Sequence, residues 1–224
     1  MFQVFALNFG WIVAAALLGF AIAAVFAGIL RLPRSLYLAI YLALAGPFLY
    51  AFARWSNLSV NDLIRQNWAW GLAAAVLIGA FTVRNVLSQP GSTHAKGLAL
   101  AADIAWLGVV YGALDALFLS VMPVLASYQA FTALGWTQTL PGKVLAGILA
   151  LIVSLLVTAT YHLGYPEYRA AGGIKGPSIG NGVISIGYIL TNNPISAVFS
   201  HIAMHIAGVL HGPATVMQLP PHYD

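Results

Sequence analysis

His201 and His205 stand four residues apart, a spacing that puts two imidazoles on one face of a helix about one turn from each other. Two neutral imidazoles so placed can ligate one metal ion, zinc or another divalent cation, as helical His-x-x-x-His sites do. A carboxylate from a facing helix then supplies a further ligand or a general base. Asp115 is the expected donor, because mostly apolar residues separate it from Asp103 and no cation lies near it in sequence. His162 is a further candidate, although its tyrosine neighbours and Pro166 equally suit an ordinary residue of a membrane interface. A plainer reading competes with chemistry: buried histidines that hydrogen-bond neighbouring helices and hold a bundle together. Haem ligation is a third. His201 and His205 share one helix face, so a haem would need His162 or His211 opposite one of them.

The elements that must position these groups follow from composition. Of 224 residues, 61% are apolar and 6% charged, against about 25% charged in soluble domains. The expected fold class is therefore all-α, an integral membrane helix bundle of about seven spans in one domain. The apolar segments run over about 8–30, 36–52, 68–83, 97–122, 144–163, 179–190 and 195–210, the fourth ending near Pro123 and the sixth a candidate re-entrant segment. Arg31, Arg34, Arg84, Lys96, Arg169 and Lys175 fall on one side of this topology, against Arg54, Arg65 and Lys143 on the other, which puts the N-terminus outside. The long apolar stretch Asn8–Leu30 lacks a basic n-region and reads as a retained span rather than a cleaved signal. No cysteine is present, which removes thiol chemistry, and no Lys/Arg run marks a nucleic-acid partner. Ionisable groups inside a membrane cost about 2.5–3.5 kcal/mol each, so Asp103, Asp115, His162, His201, His205 and His211 are all functional candidates.

The order of these residues resembles the CAAX protease and bacteriocin-processing family of intramembrane endopeptidases. That family carries Glu-Glu-x-x-x-Arg on one span, Phe-x-x-x-His on a later one and His-x-x-x-Asn on the last. Leu114-Asp115-Ala116-Leu117-Phe118-Leu119, Thr158-Ala159-Thr160-Tyr161-His162 and His201-Ile202-Ala203-Met204-His205 occupy the corresponding places in the C-terminal half. Leucines stand where the first glutamate and the arginine would be, and histidine stands for the final asparagine, a change that strengthens a metal site. A bacterial plasma membrane is the expected location on base rates alone; the resemblance implies a divergent peptidase cutting a peptide or lipid-linked protein. In it Asp115 takes the carboxylate role, while His162, His201 and His205 polarise water or bind an ion. Its alternatives are an inactive homologue serving as scaffold or assembly partner, and a haem-binding subunit.

Depth arithmetic agrees only in part. Asp115 and His201 fall at similar depth, whereas His162 at the far end of its span lies roughly 15–20 Å from His201 along the normal at about 1.5 Å per residue. On that count His162 belongs with Asp103 and His211 unless a helix is broken or a span limit is misplaced.

Overall fold

In the computed structural model, which describes residues 2–222, the chain is an all-α bundle. Its helices are α1 (Phe2–Ile29), α2 (Arg34–Trp55), α3 (Val60–Arg65), α4 (Trp68–Leu87), α5 (Gly97–Ala133), α6 (Leu140–Leu163), α7 (Lys175–Thr191) and α8 (Ile195–His211). Five of them, α1, α2, α4, α5 and α6, are long and apolar enough to cross a membrane, while α7 and α8 have 17 residues each. Each expected apolar segment is helical. Outward-facing Leu17, Leu77 and Leu156 are all more than 60% exposed, as a lipid-facing surface requires.

The connections follow from local chemistry. Pro33 and the left-handed Arg31 stop α1 and restart the chain in α2. Ser59 caps α3 by accepting from the Asp62 amide, and Thr139 caps α6 by accepting from the Gly142 amide. Asn192 takes left-handed backbone in the tight turn between α7 and α8. Pro47 lies inside α2 without ending it.

Helix α5 is the core. Its most apolar 18-residue window is 72% buried, against 28–44% for the other four long helices. It is also the least regular helix, with widened π turns at Ile104–Val110 and Ala116–Val121 on either side of the α turn Tyr111–Asp115. Such turns re-aim the side chains beyond them and recur at functional sites.

Two sequence expectations are corrected here. Pro123 does not end the helix of the fourth apolar segment, which runs on to Ala133. Proline has no amide to bond the carbonyl four residues earlier, and the freed Leu119 carbonyl instead accepts from Ser154 Oγ at 2.7 Å and Asn181 Nδ2 at 3.4 Å. Polar side chains of two neighbouring helices thus satisfy the broken backbone, and the helix continues. The tyrosines of 161–168 do not line an interface either: Tyr161, Tyr165 and Tyr168 are at most 2% exposed.

Candidate functional site

Asp115 leaves α5 from the α turn between the two π turns, and α8 brings His205 to it. Glycines allow the approach. A Cβ on Gly112 would stand 2.8 Å from Ile202 Cα, and one on Gly108 would stand 2.7 Å from Ile206 Cγ1. The two backbones therefore pack antiparallel at Gly112, and the side chains of Asp115 and His205, each leaning back toward its own helix N-terminus, meet at the crossing with Asp115 Oδ2 3.4 Å from His205 Nε2. The Gly108-x-x-x-Gly112 spacing is the small-residue seam of a membrane helix pair.

His201, one turn before His205, has its ring centroid 6.0 Å from that of His205. At the end of α6, His162 Nδ1 is 2.8 Å from the Thr158 carbonyl. That contact fixes the proton on Nδ1 and leaves Nε2 as the lone-pair nitrogen. Edge-on contacts with Tyr161 and Tyr168, at centroid distances of 5.1 and 4.9 Å, hold the ring. All four groups are buried and line one cavity of about 340 Å³, with Asn181 and Tyr168 in its wall. The volume is many times the 10–15 Å³ of probe-occupied space that one water requires. Asp115 Oδ1, His201 Nδ1 and His205 Nδ1 have no hydrogen-bond partner among the described residues.

His162 therefore joins Asp115, His201 and His205. Asp103 and His211 are not in the cavity wall, and His211 bonds the Gln89 carbonyl through Nε2 at 2.8 Å. The continuation of α5 beyond Pro123 accounts for the discrepancy in depth. Eleven further residues at about 1.5 Å each add roughly 16 Å to α5, which moves the start of α6, and His162 with it, back to the level of Asp115. Contacts along α7 agree, since Asn181 meets Thr158 and Gly187 meets Ser196, a register that levels His162 with the part of α8 near His205.

Two buried polar networks flank the cavity, and the sequence reading did not contain them. On one side Asn181 accepts from Ser120 Oγ at 2.6 Å and donates to Ser154 Oγ at 3.0 Å and Thr158 Oγ1 at 2.6 Å, tying α7 to α6 and α5. On the other, the hydroxyls of Tyr37, Tyr111, Tyr161 and Tyr165 converge. Tyr165 lies 2.6 Å from both Tyr37 and Tyr161, and Tyr111 lies 3.3 Å from Tyr165. The ring of Tyr111 meets that of His205 edge-on at 4.8 Å. Tyr41 stacks on Tyr161 beside this cluster at a centroid distance of 5.4 Å, and its hydroxyl closes no hydrogen bond among the described residues. The available signal was the spacing of four in Tyr37-x-x-x-Tyr41, which puts that pair on one face of α2, whereas Tyr165 follows the end of α6 in extended backbone and meets Tyr161 across the turn.

As their side chains stand, the described residues contain no group of three His, Asp or Glu placed to hold one metal ion. Comparison with protein-family models, with curated proteins and with solved structures finds no match.

Proposed function

We propose that this chain is an intramembrane peptidase of the divergent CAAX-protease type, hydrolysing a peptide or lipid-linked protein in a bacterial plasma membrane. The observation that carries the reading is the convergence of Asp115, His162, His201 and His205 on one cavity large enough for water and a peptide group. In this reading a cavity water attacks the carbonyl carbon while His162 Nε2 takes its proton. His201, whose Nδ1 has no partner among the described residues, is the donor available to the carbonyl oxygen as charge develops there, while Asp115 holds His205 in place through Nε2. Collapse of the tetrahedral intermediate breaks the C–N bond, and His162 returns the proton to the leaving nitrogen. No step is routed through a metal. A divalent ion on Asp115, His201 and His205 is a separate proposal, tested by metal content per chain in the parent and in a His201→Ala, His205→Ala variant.

The test is hydrolysis of a quenched fluorescent peptide library by the protein in lipid vesicles. His162→Ala is expected to lower kcat/KM by at least about 100-fold, the usual scale of general acid–base catalysis, and Asp115→Asn, which removes the carboxylate that holds His205, is expected to lower it as well. Unchanged hydrolysis in both variants sinks the assignment. A second reading, a non-catalytic assembly partner, draws on the Ser/Asn and tyrosine networks, which hold helices together without any reaction. It predicts a lowered thermal midpoint in His201→Ala and no hydrolysis in the parent.

A further inference from the structure

The chain beyond α8 turns back into the bundle. Thr215 Oγ1 donates to the Pro90 carbonyl at 2.6 Å, and Gln89 donates to the Gln218 side chain at 3.0 Å, so the segment is tied to the loop after α4. Val216 and Leu219 are fully buried. Leu219 packs where α8 has no side chain, since a Cβ on Gly208 would stand 3.0 Å from Leu219 Cδ1. Three main-chain carbonyls within four residues are then held by side chains from three other places in the fold. Tyr168 donates to Met217, Arg34 Nε donates to Leu219 at 2.5 Å, and Tyr111 donates to Pro220 at 3.0 Å.

This segment shares the cavity of the candidate site. Met217, Gln218 and Pro220 line it together with Asp115 and the three histidines. The hydroxyl that holds the Pro220 carbonyl belongs to Tyr111, the residue whose ring packs on His205. Donors aimed at carbonyl oxygens recognise a peptide main chain whatever its side chains, and buried polar groups of this kind are costly to leave without a partner.

We propose that Arg34, Tyr111 and Tyr168 form a peptide main-chain binding groove beside the Asp115 and histidine cluster, and that residues 216–222 of the same chain occupy it and close the cavity. The inference rests on the peptidase reading for its purpose, and it narrows the ligand class to a peptide segment with an apolar residue at the Leu219 position. A substrate must displace the resident segment to reach His162 and Asp115.

The chain has no cysteine, so one introduced at Met204 in the cavity wall is the sole thiol. Full-length Met204→Cys protein in detergent is expected to react slowly with a water-soluble maleimide. Adding Leu219→Asp, or separately Arg34→Ala, is expected to raise the rate at least tenfold. A synthetic peptide of the sequence 216–222 should return the rate in either double variant toward that of Met204→Cys alone, and a scrambled peptide should not. Arg34 is only half-buried, so Arg34→Ala carries the test if Leu219→Asp fails to fold. Unchanged labelling in Arg34→Ala, or equal protection by the scrambled peptide, overturns the proposal. Labelling involves no hydrolysis: sequence-specific protection without peptide cleavage keeps the groove and removes the peptidase, and cleavage without protection does the reverse.

Discussion

His162 illustrates how one backbone contact sets a side chain's chemistry. Its Nδ1 bonds the carbonyl one turn earlier, so the ring is held in one tautomer before any substrate arrives. Tyr165, which the His162 ring also meets, and Tyr41, stacked on Tyr161, differ sharply in what their hydroxyls do. Tyr165 lies 2.6 Å from two hydroxyls, those of Tyr37 and Tyr161, and its one proton is placed to be donated to either. Tyr165→Phe therefore strands buried partners and is expected to cost about 1–3 kcal/mol. Tyr41 has no hydrogen-bond partner, so Tyr41→Phe is expected to change stability by less than about 1 kcal/mol in either direction. Thermal unfolding of the two variants in one detergent checks the contrast; equal losses would show that the hydroxyl network does not bear on stability.

Among the elements, the seam between α5 and α8 sets the distance between Asp115 and His205. A methyl group on Gly112 meets backbone atoms of Ile202 rather than a flexible side chain, so α8 must move as a body. Gly112→Ala is expected to destabilise the protein by about 1–3 kcal/mol, the usual cost of overpacking, and to lower peptide hydrolysis with it. Gly10, inside α1 where an added Cβ would meet nothing within 4 Å, is the control, and Gly10→Ala should leave hydrolysis unchanged and cost no stability. The break at Pro123 has the opposite character. There the missing backbone bond is replaced by side chains of α6 and α7, so the irregularity itself knits three helices together beside the cavity.

At the scale of the whole molecule, residues 212–222 join the loop after α4, the start of α2 and the tyrosine cluster into one closed face. His222 is part of that closure, with Nδ1 3.4 Å from the Arg34 guanidinium. Burial, and after it the charge of Arg34, pushes the His222 pKa down to about 4, while a main-chain hydrogen bond with Ala214 works against the shift. A histidine whose pKa is lowered on docking binds fewer protons docked than free. Docking is therefore at full strength above about pH 6.5 and weakens as pH falls from there toward 4. The rate of Met204→Cys labelling, normalised to an exposed thiol introduced by Thr93→Cys, should rise over that window, and His222→Ala should flatten the profile. A flat profile in the parent would separate His222 from closure.

The membrane class, the helical segments and the four candidate residues were legible from composition and spacing, because lipid permits few charges and requires long apolar helices. The pairing of His201 with His205 is a matter of helical period alone. What the sequence left open was depth and partnership. Whether a proline ends a membrane helix depends on whether neighbours can satisfy the carbonyl it frees, and here Ser154 and Asn181, more than 30 residues away in the chain, do so. That one tertiary fact extends α5 and levels His162 with Asp115. The tyrosines that composition assigned to an interface are drawn inward by partners on other helices, since their hydroxyls satisfy one another. Local spacing determined which residues share a face; only packing decided which faces meet, because hydrogen bonds and glycine contacts between distant segments carry no signature in local sequence.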